Sequence, residues 1–534
     1  MLALNKSHRI YLSLLSGILM GVSFPYTGSL FPLMAIAFVP LFIVEKSIAD
    51  RNYKSRKVFF HAYLGFLVYN LITTWWIWYA SEGGMIMAVL ANSIIMALVF
   101  YAFHLIKKYI GAKEGYLGFI ILWVAFEYCH LHWEVSWPWL HLGNTFARVP
   151  EIIQWYSFSG ILGGTLWILI INSIVFWLIN NVYFRKESWK VQTPIFYLLL
   201  VTVVIPVSIS LLQYSTYNES TEEVLKVQVL QPNIDPYGEK FFLPMNQQVN
   251  QILELSESTI KESTDLILSP ETSLAYEFYE SDLTSFSFYP ALASHANKHN
   301  SVMLIGASTR AFYKSKHSIA SRKLIDGPGY YESYNSSLLL TPDENPKFVH
   351  KSKLVLGVEK IPFIKYLPFL ENLSIDLDGT SGTLGIETEP QVLKVKNSII
   401  APVICYESIY GEFIARQCNK GAKMIAIITN DGWWRDTPGY RQHMAFARLR
   451  AVENRRSLAR SANTGTSGFI NQRGDIIESS IWWNKTAMTQ TLNLNSELTF
   501  YSKHGDFIGR SFTFVSSLLL LFLFVKRFKK KFVQ

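Results

Sequence analysis

Along the first 212 residues the apolar positions come in long blocks separated by short polar segments. Beyond residue 223 they shrink to short runs that alternate with helix-compatible stretches. A helix needs about 20 apolar residues to cross ~30 Å of hydrocarbon. Seven blocks approach that length, at 10–25, 29–44, 58–80, 84–106, 116–133, 163–180 and 193–212, and an eighth lies at 511–525. The second and eighth are short for a span. The opening stretch, basic and then apolar, could pass alone for a secretory signal, but six further blocks follow it and it reads as an anchor. In the second region the pattern predicts strands at 226–234, 265–272, 301–308, 335–340, 399–407, 422–430, 456–463 and 465–477, with helices at 246–263 and 439–455. Strands alternating with helices predict an α/β domain with both sheet faces used. Segment 311–334, rich in Ser, Lys, Tyr and Gly, reads as an exposed loop.

Composition agrees with a chain of two kinds of solvent: half of the 534 residues are hydrophobic, and the mean hydropathy is +0.19. Charge then supplies an orientation, because basic residues in short loops are retained on the cytoplasmic side. With the N-terminus inside, segments 1–9, 45–57, 107–114, 181–192 and 526–534 hold 18 Lys and Arg against four acids. They carry +14 of a chain whose net charge is +9, so the remainder sums to −5. The basic balance is therefore a topology signal and not a nucleic-acid footprint. The same alternation places 213–510 on the non-cytoplasmic side. Only three cysteines occur, Cys129, Cys405 and Cys418, which excludes a disulfide framework. A Cys405–Cys418 bond would consume the thiol that the chemistry below needs.

Three polar residues stand at the ends of strand-like runs, where a sheet could present them together: Glu271, Lys351 and Cys405. The run Ile399 to Glu407 ends abruptly in Cys405, Tyr406 and Glu407, and a rigid strand that delivers a thiol to a turn is one way to hold a nucleophile. A lone cysteine more often fills a core. A thiol reacts as thiolate, so it needs a base or a nearby cation; Glu271 offers the first and Lys351 the second. The lysine could also stabilise an oxyanion together with a backbone N–H just after the cysteine. Taken singly, either charge is more often simply solvated. No HExxH, Cys-x-x-Cys, phosphate loop or GxSxG elbow occurs. His443, among Arg448, Arg450, Glu453, Arg455 and Arg456, reads as part of a salt-bridged helix, and Asn430 and Asp431 as support for the loop beside the cysteine. Trp137, Pro138 and Trp139 read as interface anchors or substrate lining, while Glu127 and His141 nearby are ionisable groups without an assigned task.

Several of these stretches resemble the apolipoprotein N-acyltransferases, whose outward domain belongs to the nitrilase, or carbon–nitrogen hydrolase, superfamily. The resemblance runs through WPWLHLG in the apolar part, VLQPNI at 229–234, SPETSL at 269–274, HKSKLVLGVEKIP at 350–362 and ICYES at 404–408, and TNDGWW, RQHMAFARLRAVENRR and RSANTG within 429–465. Two departures stand out: Leu356, Gly357 and Val358 replace the usual Pro-Phe-Gly, and Phe241 stands where the family commonly has tryptophan. The resemblance implies a multi-pass α-helical membrane bundle (1–212), an extracytoplasmic nitrilase-like αββα sandwich (213–510) and a C-terminal span with a basic tail (511–534). It implies Glu271 as general base, Lys351 as catalytic lysine and Cys405 as nucleophile, supported by Glu359, Tyr406 and Glu407. The implied reaction moves an acyl chain from a membrane phospholipid, through a Cys405 thioester, to the N-terminal amine of a diacylglyceryl-cysteine in a lipoprotein. No cofactor, metal or nucleic acid is called for, and a monomer in the bacterial inner membrane with its catalytic domain in the periplasm is expected. From the residues alone, a tethered amidase using water and an inactive lipoprotein-binding scaffold stay open.

Overall fold

The computed structural model describes residues 4–260, 263–325, 327–342, 344–367 and 382–532, so the extreme ends of the predicted cytoplasmic segments 1–9 and 526–534 lie outside the described residues. The chain divides into two compact units, one of Met1–Trp78, Glu82–Thr216 and Asp506–Gln534, the other of Tyr79–Ser81 and Tyr217–Gly505.

The first unit is helical: α1 (Lys6–Ser23), α2 (Val39–Asp50), α3 (Arg56–Thr74), α4 (Glu82–Tyr109), α5 (Ala112–His130), α6 (Tyr156–Ile179), α7 (Trp189–Thr216) and a C-terminal helix, Phe507–Phe532. Among the described residues, six stretches are long and apolar enough to cross a membrane: Phe31–Asp50, Arg56–Tyr79, Glu82–Tyr109, Tyr156–Phe184, Trp189–Thr216 and Phe507–Lys529. Helices also form where the first and fifth spans are predicted, but α1 and α5 are shorter and begin with charged residues, which lowers their mean hydropathy. The helices meet on rings from Phe38, Phe42, Phe66, Phe100, Phe119 and Trp123, stacked, tilted or edge-on at centroid distances of 5.0–6.3 Å. Such geometry suits the ring quadrupoles and adds to the dispersion gained by close packing. Glu127 accepts hydrogen bonds from Trp123 Nε1 (3.0 Å), the Leu142 N–H (2.9 Å) and Thr165 Oγ1 (2.6 Å). Its task is thereby visible: a buried carboxylate ties the WPWLHLG loop to α5 and α6.

The second unit stacks two sheets. The first contains β1 (Val224–Gln231), β2 (Leu266–Tyr279), β3 (Val302–Tyr313), β4 (Arg322–Lys323), β5 (Tyr330–Leu340) and β6 (Lys347–His350), closed at its other edge by the late strand β13 (Thr486–Asn493). The second contains β7 (Leu393–Val395), β8 (Ser398–Ile404), β9 (Met424–Thr429), β10 (Ser457–Ala462), β11 (Gly468–Ile470) and β12 (Ile476–Ser479), in the order β12-β11-β10-β9-β8-β7. The central strands β1, β2 and β3 run parallel, as do β8, β9 and β10. Parallel strands are covered on both faces, which is why most of them are rich in apolar residues. Val227, Val229, Leu268 and Leu304 meet Ile400, Ile404, Met424, Ala426 and Ile428 in the core between the sheets. Outside the first sheet, α8 (Met245–Thr259) and α9 (Tyr289–His299) pack Val249, Ile252, Leu292 and Ala296 on Ile267, Met303 and Leu338. Helices α10 (Gly411–Asn419) and α11 (Pro438–Asn454) pack on the second sheet. The result is the predicted αββα sandwich.

The reading of segment 311–334 as an exposed loop holds for most of its middle and is corrected at its two ends. Strand β3 continues to Tyr313 and pairs with β5 from Tyr330 onward, and both Glu332 and Ser333 are buried. The polar, glycine-containing composition hid a hairpin whose tyrosines supply the strand-forming surface.

Candidate active site

The site lies where strands of both sheets end. Strand β8 stops at Ile404, and Cys405 opens a short 3₁₀ turn, Cys405–Ile409, with φ +51°. A non-glycine residue in the left-handed region is strained and persists only where its surroundings over-determine it. Here they do. Glu407 reaches back to accept from the Ile404 N–H (2.8 Å) and, on its other oxygen, from the Ser352 N–H (2.5 Å), so one carboxylate ties the cysteine turn to the lysine segment. Ser408 Oγ donates to the Cys405 carbonyl at 2.7 Å, and His443 Nε2 lies 2.8 Å from that hydroxyl and 3.3 Å from the same carbonyl. Behind the imidazole, Asp431 is 3.0 Å from Nδ1 and accepts from Arg460 Nη2 at 2.6 Å. His443 thus braces the backbone of Cys405. Arg450 and Glu453 form a buried pair on the same helix.

Glu271 is delivered by an irregularity in β2. The register between β2 and β3 breaks after Ser269, and Thr272 has φ +49°. The bulge folds over Gly306, where a Cβ would come within 2.3 Å of the Pro270 carbonyl oxygen and 2.5 Å of Glu271 Cα, so only glycine fits. The Glu271 carboxylate accepts from Lys351 Nζ (2.9 Å) and Asn335 Nδ2 (2.8 Å) on Oε1, and from the Asn430 N–H (3.0 Å) on Oε2. Lys351 follows β6 directly, is 1% exposed, and donates also to Glu359 Oε1 at 2.9 Å. Glu359 is held by Asn335 Nδ2 (2.8 Å) and the Val355 N–H (2.8 Å). The Leu356, Gly357 and Val358 departure is absorbed by a tight turn in which Gly357 takes φ +84° and the Glu359 N–H donates to Val355.

Electrostatics follow from this packing. Burial acts against ionised Glu271, but the Lys351 charge and hydrogen bond, Asn335 and the charge of Lys240 together hold its carboxyl below the ordinary value. Burial likewise opposes the Lys351 ammonium, and Glu271 and Glu359 overcome it, keeping the lysine protonated. The Cys405 thiol is pushed far up by burial and by the Glu271 charge, with Lys351 opposing. At rest the proton therefore sits on sulfur beside an ionised pair, and the thiolate forms only as an electrophile arrives. Burial raises Glu407 to about 7 against its backbone donors, whereas Asp431 overcomes burial through Arg460 and His443 and falls to about 2.

Glu271, Lys351, Cys405 and Glu359 converge with Glu407 beneath the turn, while Tyr406 is buried with its ring edge-on to Tyr410 at 5.5 Å. Phe241 stacks on Trp433 at 6.5 Å, an aromatic pair near the start of α8. Cys405 and Cys418 are both free. Asn335 and Lys240 escaped the sequence reading. Asn335, a polar residue in a strand of buried neighbours, was a usable signal, whereas Lys240 carries none. Glu257, His295 and His299 on α8 and α9 have metal-ligand chemistry, but Lys298 Nζ lies 2.7 Å from the same Glu257 oxygen and already supplies the cation.

Residues 16–174 match the family model of the apolipoprotein N-acyltransferase N-terminal domain, and residues 226–497 match that of the carbon–nitrogen hydrolases. The chain is 28% identical over 530 residues to an apolipoprotein N-acyltransferase of Chlorobaculum tepidum, covering 98% of this chain and 97% of that protein. It is 27% identical over 513 residues to the one of Geobacter metallireducens, covering 93% and 91%. Among solved structures, Saccharomyces cerevisiae Nit3, a member of branch 10 of the nitrilase superfamily, matches 52% of this chain and 93% of its own at 16% identity, with a TM-score of 0.36.

Proposed function

The chain belongs to the apolipoprotein N-acyltransferase family, a membrane-embedded branch of the carbon–nitrogen hydrolases, and from that premise we propose that it acylates lipoproteins through a thioester on Cys405. The observation that carries the reading is the Lys351 ammonium, 2.9 Å from both Glu271 and Glu359, beside a thiol held on a left-handed turn. Glu271 accepts the thiol proton as Sγ attacks an ester carbonyl of a membrane phospholipid. Two of the three ammonium hydrogens of Lys351 are engaged by carboxylates, and the third, with a backbone N–H near Tyr406, meets the developing oxyanion. Collapse of that intermediate breaks the ester C–O bond, and the proton held by Glu271 leaves with the lysophospholipid. The amine of a diacylglyceryl-cysteine then attacks the thioester, Glu271 takes the amine proton, and the thiol is restored as the amide forms.

Splitting the transfer into two steps gives each a lower barrier, and a thioester is readily attacked by an amine. The membrane part (1–212, with 511–534) lets both acylated substrates stay in lipid, and the basic segments orient the α/β part (213–510) towards the periplasm of an inner membrane. The test is acylation of a synthetic diacylglyceryl-cysteine peptide by purified protein in phospholipid–detergent micelles, read by mass, with Cys405→Ala alongside. One acyl group on the peptide amine, absent with the variant, is the expected result. A hydroxylamine-sensitive acyl mass on the protein with no modified peptide would leave the donor and overturn the acceptor. Release of free fatty acid alone would make water the acceptor.

A further inference from the structure

A second lysine belongs to this site. Lys240 lies in the segment between β1 and α8 and is 2% exposed, yet its Nζ is not turned towards a carboxylate. It donates to the Glu271 main-chain carbonyl at 3.1 Å and to Thr272 Oγ1 at 2.5 Å, and Thr272 Oγ1 donates in turn to the same carbonyl at 2.8 Å. These bonds close on the two residues of the β2 irregularity, one of which is in the left-handed region. The lysine is itself fixed: its N–H donates to Asp235 O (2.9 Å) and its carbonyl accepts from Gln248 Nε2 (2.7 Å). A fully buried ammonium is costly to keep for a purely structural bond that a neutral donor could make.

We propose that Lys240 is a positioning residue for the general base, clamping the Glu271–Thr272 bulge by hydrogen bonds and holding the Glu271 carboxylate ionised by its charge. Burial lowers Lys240 to about 8 while the charge of Glu271 raises it, so the ammonium survives at neutral pH because an ionised carboxylate stands near it. The charged and titratable groups facing Glu271 are Lys351 and Glu359 from the segment after β6, Cys405 at the end of β8, and Lys240. Asp431, after β9, is engaged by Arg460. Without Lys240 one cation faces two carboxylates and a thiol. The Glu271 carboxyl then binds its proton more tightly, and the base is lost at a higher pH.

The inference rests on the reading of Glu271 as base for Cys405, and its test needs no lipid or lipoprotein. The rate of Cys405 alkylation by iodoacetamide is followed against pH on the full chain in detergent, with peptide masses separating Cys405 from Cys129 and Cys418. For Lys240→Met we expect alkylation slowed about tenfold at pH 7, with the acid limb of the profile moved up by about one pH unit. Thr272→Val keeps the ammonium and removes one acceptor; it is expected to slow the reaction about threefold and leave the limb in place. A Lys240→Met protein with the wild-type limb overturns the proposal, whether or not it is slower, and so does Thr272→Val that reacts like wild type. If the limb moves as expected but the wild type acylates no peptide, the substrate reading fails and the role of Lys240 stands.

Discussion

Each unit of the molecule sets a lysine against a buried glutamate, and the two clusters differ in how their charges are shared. In the helical unit Glu45 is fully buried and accepts from Lys107 and from His104 Nδ1 at 2.7 Å, and Ser55 Oγ lies 3.1 Å from His104 Nε2. One carboxylate there meets two nitrogen donors that tie α2 to α4. In the α/β unit one ammonium meets two carboxylates, and a thiol on strained backbone stands beside them. The first cluster is satisfied by its own members. In the second, burial and the Glu271 charge keep the sulfur protonated, and the Lys351 ammonium has a donor to spare. A carboxylate met by its own donors holds helices together; an ammonium shared by two carboxylates beside a thiol can respond to charge that develops near it.

Substitutions separate the two. Cys405→Ala should abolish acyl-enzyme formation, read as loss of the hydroxylamine-sensitive mass, while Glu45→Ala should leave that mass in place. Glu271→Gln keeps the size and one acceptor but cannot take a proton, and the acylation rate should fall about 10³-fold with the protein still folded. Glu45→Ala strands Lys107 and His104, and should cost about 3 kcal/mol in denaturant unfolding in micelles, with turnover per folded molecule within about twofold of wild type. If turnover fell with stability intact, the contrast between the clusters would fail.

Smaller effects probe the supports of the cysteine turn. Asp431 is held at about 2 against an ordinary 3.8, so its ionised form contributes stability in full above about pH 4, and that contribution is lost as the pH falls through 2. At roughly 2 kcal/mol this should appear as an acid shift in unfolding that Asp431→Asn removes. His443→Gln retains only part of the brace on the Cys405 carbonyl, and acylation should slow about tenfold with substrate KM unchanged.

How far the sequence could be read depended on where each residue is buried. Strands β1, β2, β3, β8 and β9 were legible because strands covered on both faces are rich in apolar residues, whereas β10 holds Arg460 and two serines. Strand β13, half-exposed and threonine-rich, and the first half of β5, rich in tyrosine, lacked that signal. Short helix α10 was hidden for want of length. Glu271, Lys351, Cys405, Glu359 and Glu407 were singled out because each sits in a local stretch that carries the family resemblance. Asn335 and Lys240 act on those residues from 24 to 64 positions away and lie outside the family stretches, whereas His443 and Arg460 lie within RQHMAFARLRAVENRR and RSANTG, where nothing local ties them to Cys405.

By itself, then, the sequence determined the division into a lipid-soluble part and an α/β part, the strand series and the chemical types at the site, since hydrophobic periodicity and residue chemistry are local properties. Only the tertiary structure decided that Lys351 is shared by two carboxylates, that Glu127 and Glu45 are ties, and that Lys240 turns towards the backbone of Glu271. Those outcomes depend on which groups are left facing one another once water is excluded, and burial makes each unpaired charge or donor too costly to leave to chance.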